Sequence, residues 1–252
     1  MASWVLLRGL MREARHWGEF PALLRAQLPD AEVTTLDLPG NGRWYRLHSP
    51  SSVEQMAEWC RSELAARGIA PPYHLLGLSM GGMVALAWGS TYPQELCACV
   101  LINSSLGRFD PFYRRLRPRA YPVLPTLIAG NPEQQERAIL RLTSRRGDAQ
   151  AGILDAWLAY RRECPVSRRN ALRQLLAAAR YRAPARAPAM PVLVLASALD
   201  GLVDPRCSRQ LAGRWKAALA VHPAAGHDLP LDDPSWVARQ VRDWLASEVM
   251  KR

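Results

Sequence analysis

Short apolar runs alternate with stretches of helical period along most of this chain. SWVLL (3–7) reads as a strand, and Trp17 to Leu28 carries apolar positions at helical spacing. EVTTLDL (32–38) is the next strand, ended by the turn PGNG (39–42). Ser51 is placed to open a helix with Glu54 as its capping-box partner, and Val53, Met56, Ala57, Cys60 and Leu64 fall on one face of that helix. HLLGL (74–78), ACVLIN (98–103), PVLVLAS (191–197) and LAVHP (219–223) read as strands, and MGGMVALAWG (80–89) and Pro205–Trp215 as helices. A last helix starts at Asp233-Pro234 and buries Val237, Val241, Trp244 and Leu245. Strands that alternate with helices in this way predict an α/β fold, a mostly parallel sheet flanked by helices.

The rhythm breaks after Asn103. Over 104–189 no buried strand is evident, and proline-punctuated helices take over: one after Asn131-Pro132, one around Ala149–Arg162 and one after Ser167. PARAPAMP (184–191) reads as the linker that closes this stretch. The division expected is therefore a core of 1–103 and 190–252 with a helical insertion at 104–189, too long for a simple loop.

Composition excludes more than it selects. With 252 residues, 49% hydrophobic and 22% charged, the chain has enough apolar material for a core without disulfides or metal. Its five cysteines are scattered, with no zinc-binding spacing, and are expected to be buried thiols in a reducing compartment. No run of apolar residues is long enough for a signal peptide or a bilayer span, so the expected location is cytoplasmic. The formal net charge is +11, yet only Lys216 and Lys251 of 33 basic residues are lysine. An arginine bias of composition accounts for that charge, and no nucleic-acid-binding module accompanies it.

One stretch asks for chemistry. GLSMG (77–81) puts Ser79 where a buried strand runs into a buried helix, in the pattern G-x-S-x-G. At a tight strand-to-helix turn sterics require small residues, and the helix aims free N–H groups and its positive end at the serine. Alone the pentapeptide is a weak signal, since Ser79 would equally serve as a helix cap. A nucleophilic serine needs a base, and the base needs an acid to hold its tautomer. Ligands of open α/β sheets bind beyond the carboxyl ends of strands, so these partners belong just after strands. Asp200 follows PVLVLASAL, and His227 follows LAVHPAAG. Asp204 competes for the role of acid. His222 lies within a strand, and His16, His48 and His74 precede the serine, which leaves His227 as the base. Two backbone donors complete the set, the N–H of Met80 after the serine and that of Leu10 after Gly9, in the loop VLLRGLMRE.

Taken together, LLRGL, LDLPGNG, GLSMGG, SALDGLVDP and GHDLPLDDP resemble the strand-ending oxyanion loop, acidic-Pro-Gly turn, elbow, acid segment and histidine segment of the α/β-hydrolase family. One departure is Arg8-Gly9, where many members carry His-Gly. The resemblance implies an α/β-hydrolase fold with 104–189 as its helical cap. It also implies a serine hydrolase that cleaves carboxylic esters of small to medium acyl chains through Ser79, His227 and Asp200, with no cofactor and no metal. Size and cap position are similar to those of carrier-protein methyl ester esterases and small bacterial carboxylesterases. The same triad serves thioesterases and acyltransferases acting on coenzyme A or carrier-bound substrates, and a non-catalytic hydrolase-like binding protein would have lost a triad member. Cap residues Phe109, Phe112, Tyr113, Tyr121, Leu127, Trp157 and Tyr160 are candidates for pocket walls. Arg114, Arg115, Arg117, Arg119, Arg137, Arg141 and Arg145 suggest a docking face for an acidic carrier protein, the last three at i, i+4, i+8 on one helix face.

Overall fold

The computed structural model describes residues 2–146 and 150–250. Six strands, β1 (Ala2–Leu7), β2 (Ala31–Leu36), β3 (Tyr73–Leu78), β4 (Leu96–Ile102), β5 (Val192–Ser197) and β6 (Ala218–His222), form one sheet. Its order is β2-β1-β3-β4-β5-β6, and every neighbouring pair is parallel. Helices α1 (Phe20–Gln27), α2 (Val53–Ala66) and α3 (Met80–Thr91) connect the first strands. Helices α4 (Phe112–Arg115), α5 (Leu124–Ala129), α6 (Pro132–Thr143), α7 (Gln150–Glu163) and α8 (Arg168–Arg180) fill the insertion, with α9 (Pro205–Trp215), α10 (Leu229–Asp232) and α11 (Pro234–Val249) after it.

Parallel strands covered on both faces need apolar side chains of both parities. Val5, Leu7, Leu75, Cys99, Leu101, Val192 and Val194 pack on one face with α2, α3 and α9. Trp4, Leu6, Leu76, Leu78, Val100, Ile102, Leu193 and Leu195 pack on the other with α1 and α11. The stripe Val53, Met56, Ala57, Cys60, Leu64 of α2 is buried as its spacing predicts. Its cap is not the expected one: Ser52, not Ser51, takes the N-cap position and accepts the Gln55 N–H. Both hydroxyls precede the apolar stripe, and the helix begins at Val53, directly after the second.

Among the described residues the insertion contains no strand, in agreement with the pattern. Asn131 opens α6 with a reciprocal capping box to Gln134. The predicted start of the next helix at Ala149 lies outside the described residues. Where the sequence pattern is arginine-rich and proline-rich, over 112–129, the structure forms α4, a 3-10 turn and α5. Cys60, Cys99 and Cys207 are buried thiols, while Cys97 and Cys164 are partly exposed. No described helix is long and apolar enough to cross a membrane.

Candidate active site

Ser79 sits between β3 and α3 with φ 56° and ψ −114°, a left-handed backbone that a serine adopts only where its surroundings hold it. Those surroundings are identifiable. Its N–H donates to Ile102 O at 2.8 Å, and its carbonyl accepts from Ser104 Oγ at 2.9 Å. A Cβ on Gly77 would collide with the Gly81–Gly82 backbone, and one on Gly81 with the Leu7 and Arg8 carbonyls, so only glycine permits this crossing. The Ser79 hydroxyl does not cap α3. The capping explanation of the serine therefore falls away, and its side chain stays partly open to solvent.

Asp200 and His227 meet. Asp200 Oδ2 lies 2.7 Å from His227 Nδ1, with both side chains buried. The other carboxylate oxygen, Oδ1, accepts the N–H groups of Leu202 (2.7 Å) and Val203 (2.9 Å), which fixes the carboxylate plane. A carboxylate at Nδ1 holds the ring proton there and leaves Nε2 as the basic nitrogen. Among the described residues no hydrogen bond joins Ser79 Oγ to His227. Their supports are nonetheless adjacent in sequence: Asn103 Nδ2 donates to His227 O at 2.8 Å, and Ser104 holds the Ser79 carbonyl. Asn103, at φ 47°, also donates to Ser197 Oγ and accepts the Ser197 N–H, tying together the ends of β4 and β5 and the histidine loop. Sequence reasoning missed this pair, although the polar run Asn-Ser-Ser closing a buried strand was its signal.

Of the two expected oxyanion donors, Met80 directly follows the serine and Leu10 follows Gly9. A Cβ built on Gly9 would stand 3.4 Å from Ser79 Cβ, which places the loop after β1 against the elbow. Neither the Leu10 nor the Met80 N–H donates to an acceptor among the described residues. Arg8, before Gly9, is fully buried and makes a bidentate pair with Asp228, which follows His227 (3.0 and 2.5 Å). The departure from His-Gly thus joins the loop after β1 to the loop that carries His227.

The profile of the alpha/beta hydrolase family matches residues 4–240. The chain belongs to that family. The pimeloyl-[acyl-carrier protein] methyl ester esterase of Aeromonas hydrophila is 31% identical, over 86% of this chain and 84% of its own length. RutD of Caulobacter segnis, named for carbamate hydrolysis, is 30% identical over 91% of this chain and 86% of its own. The enol-lactonase of Burkholderia xenovorans LB400 shares the fold with a TM-score of 0.80 at 19% identity, covering 97% of this chain and 91% of that one.

Other residues of this α/β hydrolase that competed for a role are engaged elsewhere. Asp204 caps α9 and pairs with Arg206, whose guanidinium holds the carboxyl below the usual range. His222 lies 3.3 Å from Asp233 and accepts the Ala225 N–H. His74 stacks on Trp4, His48 is exposed, and His16 is buried against Trp157 and Tyr160. Among the described residues no cluster of side chains is arranged to hold a metal ion.

Phe112 is 75% exposed, and Tyr113 is exposed beside it, while Phe109 packs on Trp215. Five of the seven arginines singled out in the insertion make bonds within the chain. Arg115 donates to the carbonyls of Ala178 and Ala179 at the end of α8, and Arg117 and Arg119 donate to Asp200 O. Arg137 pairs with Glu133, and Arg145 lies beyond the end of α6 and reaches Leu199 O. Carbonyls left open at helix and strand ends attract cations, which composition alone does not reveal. A cleft of about 500 Å³ within the insertion, lined by Pro122, Thr126, Gln134 and Arg141, contains no triad residue.

Proposed function

We propose that this protein is a serine hydrolase of carboxylic esters of small to medium acyl chains, acting through Ser79, His227 and Asp200. The observation that carries the reading is the buried 2.7 Å contact of Asp200 with His227 Nδ1, beyond the carboxyl ends of β5 and β6, the end of the sheet at which Ser79 leaves β3 on its strained turn. In this reading His227 Nε2 takes the Ser79 proton as Oγ attacks the ester carbonyl, and Asp200 stabilises the imidazolium that results. The N–H groups of Leu10 and Met80 receive the oxyanion, each worth about 3–4 kcal/mol when aligned. The tetrahedral intermediate collapses to an acyl-serine as His227 returns the proton to the leaving alcohol. Water, deprotonated by the same nitrogen, then releases the acid. The helical insertion acts as the cap over this site.

A second reading has one support, the 31% identity to a protein named for a carrier-bound methyl ester. An acyl group delivered on a carrier protein or coenzyme A meets the same triad, as ester, thioester or acyl-transfer substrate. Against a docking role stand the intramolecular bonds of Arg115, Arg117, Arg119, Arg137 and Arg145.

Hydrolysis of p-nitrophenyl esters from C2 to C12 by the wild type and Ser79→Ala tests the first reading. The expected result is turnover of the shorter esters by the wild type and a loss of at least about a thousandfold in the variant. Turnover that survives in Ser79→Ala overturns the triad. A wild type inert on every ester but active on a carrier-bound or coenzyme A substrate favours the second reading.

A further inference from the structure

Helix α8 is built inside out. Its leucines Leu172, Leu175 and Leu176 face solvent, while Asn170 and Gln174, one turn apart, are buried with Ala177. Burying an amide is unfavourable unless its hydrogen bonds are made, so a helix that only needed to pack would have the leucines inside. The hydrogen bonds show what the amides hold. Asn170 accepts the Ser49 N–H at 2.9 Å and donates to Leu47 O, which fixes the loop before α2. Gln174, with no exposed surface, donates through Nε2 to Asn41 Oδ1 (2.8 Å) and Ser49 Oγ (2.9 Å). That leaves its Oε1 oriented, and Oε1 accepts the Met11 N–H at 2.8 Å.

Met11 is the residue after Leu10, the expected oxyanion donor. It lies at φ 56° inside a turn closed by the Arg12 N–H on Gly9 O, at 3.3 Å. A left-handed methionine is unfavourable and persists only where something outside the turn holds it. In a trans peptide the carbonyl and the N–H point in opposite directions, so fixing Gly9 O toward Arg12 also fixes where the Leu10 N–H points. We propose that Gln174 is a positioning residue for the oxyanion hole: by accepting the Met11 N–H it holds the 9–12 turn that presents the Leu10 N–H beside Ser79. The insertion then does more than cover the site. It supplies a part without which the core loop does not keep its shape. The proposal deepens the ester-hydrolase reading and rests on it for its kinetic consequence.

Gln174→Met removes the acceptor at similar volume, and Asn170→Leu removes the buried amide one turn away, whose bonds go to Ser49 and Leu47 and not to Met11. Two readouts separate this proposal from the reading beneath it. The first needs no activity: amide hydrogen exchange of the segment spanning 8–12. Faster exchange there in Gln174→Met, with β3 and β4 unchanged and wild-type-like protection of 8–12 in Asn170→Leu, is the expected result. Unchanged exchange of 8–12 in Gln174→Met overturns the proposal, whatever the enzyme cleaves. The second readout is the kinetic split on p-nitrophenyl butyrate. A kcat lower by about tenfold to a hundredfold with KM within about twofold is expected for Gln174→Met, a part of the loss known for removing an oxyanion donor outright. A kcat within about twofold of the wild type is expected in Asn170→Leu. Equal losses in both variants, or exchange that rises throughout the protein, mark a merely structural role and overturn the proposal. A wild type that cleaves no ester, with the exchange result intact, removes the ester reading and leaves the loop-positioning role standing.

Discussion

At the scale of single residues, the site is held by polar groups that lie next to the chemical ones in sequence. Arg8 precedes Gly9 and Leu10, Asp228 follows His227, and their bidentate pair at 3.0 and 2.5 Å joins the two loops. The Arg8 guanidinium also lies 4.8 Å from the Trp17 ring, so its desolvated charge has an aromatic face as well as a carboxylate. Removing one partner of a buried ion pair strands the other, at a cost of about 3–5 kcal/mol. Arg8→Met is therefore expected to lower stability in urea unfolding by that order, since Arg8 is 2% exposed and Asp228 is buried with it. A loss below about 1 kcal/mol, the level of an exposed pair, contradicts this account of the junction.

At the scale of elements, the alternation of apolar runs located all six strands to within a residue or two at most ends, and it located the helices at 205 and 234. It did so because both faces of the sheet are covered and the strands read as near-continuous apolar runs. The elbow was legible for a related reason: no residue but glycine clears the Leu7 and Arg8 carbonyls at position 81. Asp200 and His227 were legible because each closes or follows a strand whose carboxyl end faces the site. Asn103, Ser104 and Gln174 were not, because their partners are backbone groups of other loops, and a one-dimensional pattern does not encode which carbonyl or N–H is left open. Each leaves a trace: the polar run that closes β4 for Asn103 and Ser104, and for Gln174 the inverted polarity of α8, two buried amides one turn apart with leucines on the solvent side. At 114–119 a run of arginines suggested an external partner, and the pattern did not show that Arg117 and Arg119 donate to the Asp200 carbonyl.

At the scale of the whole molecule, core and insertion join through the loop after β1. Arg12 pairs with Glu136 of α6 at 2.7 Å and lies over the Trp157 ring of α7, and Arg15 pairs with Glu163. His16 stands in the middle, its ring 5.3 Å from Trp157 and 5.4 Å from Tyr160, with Nδ1 accepting the Glu13 N–H. Burial first, and then the charges of Arg12 and Arg8, hold its pKa well below 6.5. The unfolded chain takes up that proton near pH 6.5 while the folded one resists it, so this contribution is intact above that pH and is lost as pH falls below it. His16→Phe keeps an aromatic ring against Trp157 and Tyr160 and carries no titrating nitrogen. Between pH 7.5 and pH 5.5 the urea midpoint of the wild type is expected to fall further than that of His16→Phe. Parallel falls contradict a neutral His16 at this junction.

Ser79 is proposed as the nucleophile, and trapping the covalent intermediate tests that most directly. The wild type is mixed with excess p-nitrophenyl butyrate, quenched in acid within the first turnovers, and examined by intact-mass and peptide mass spectrometry. A single butyryl group on the peptide containing Ser79, absent from Ser79→Ala, is the expected result. An adduct on any other residue, or rapid ester cleavage by the wild type that also proceeds in Ser79→Ala, contradicts the account.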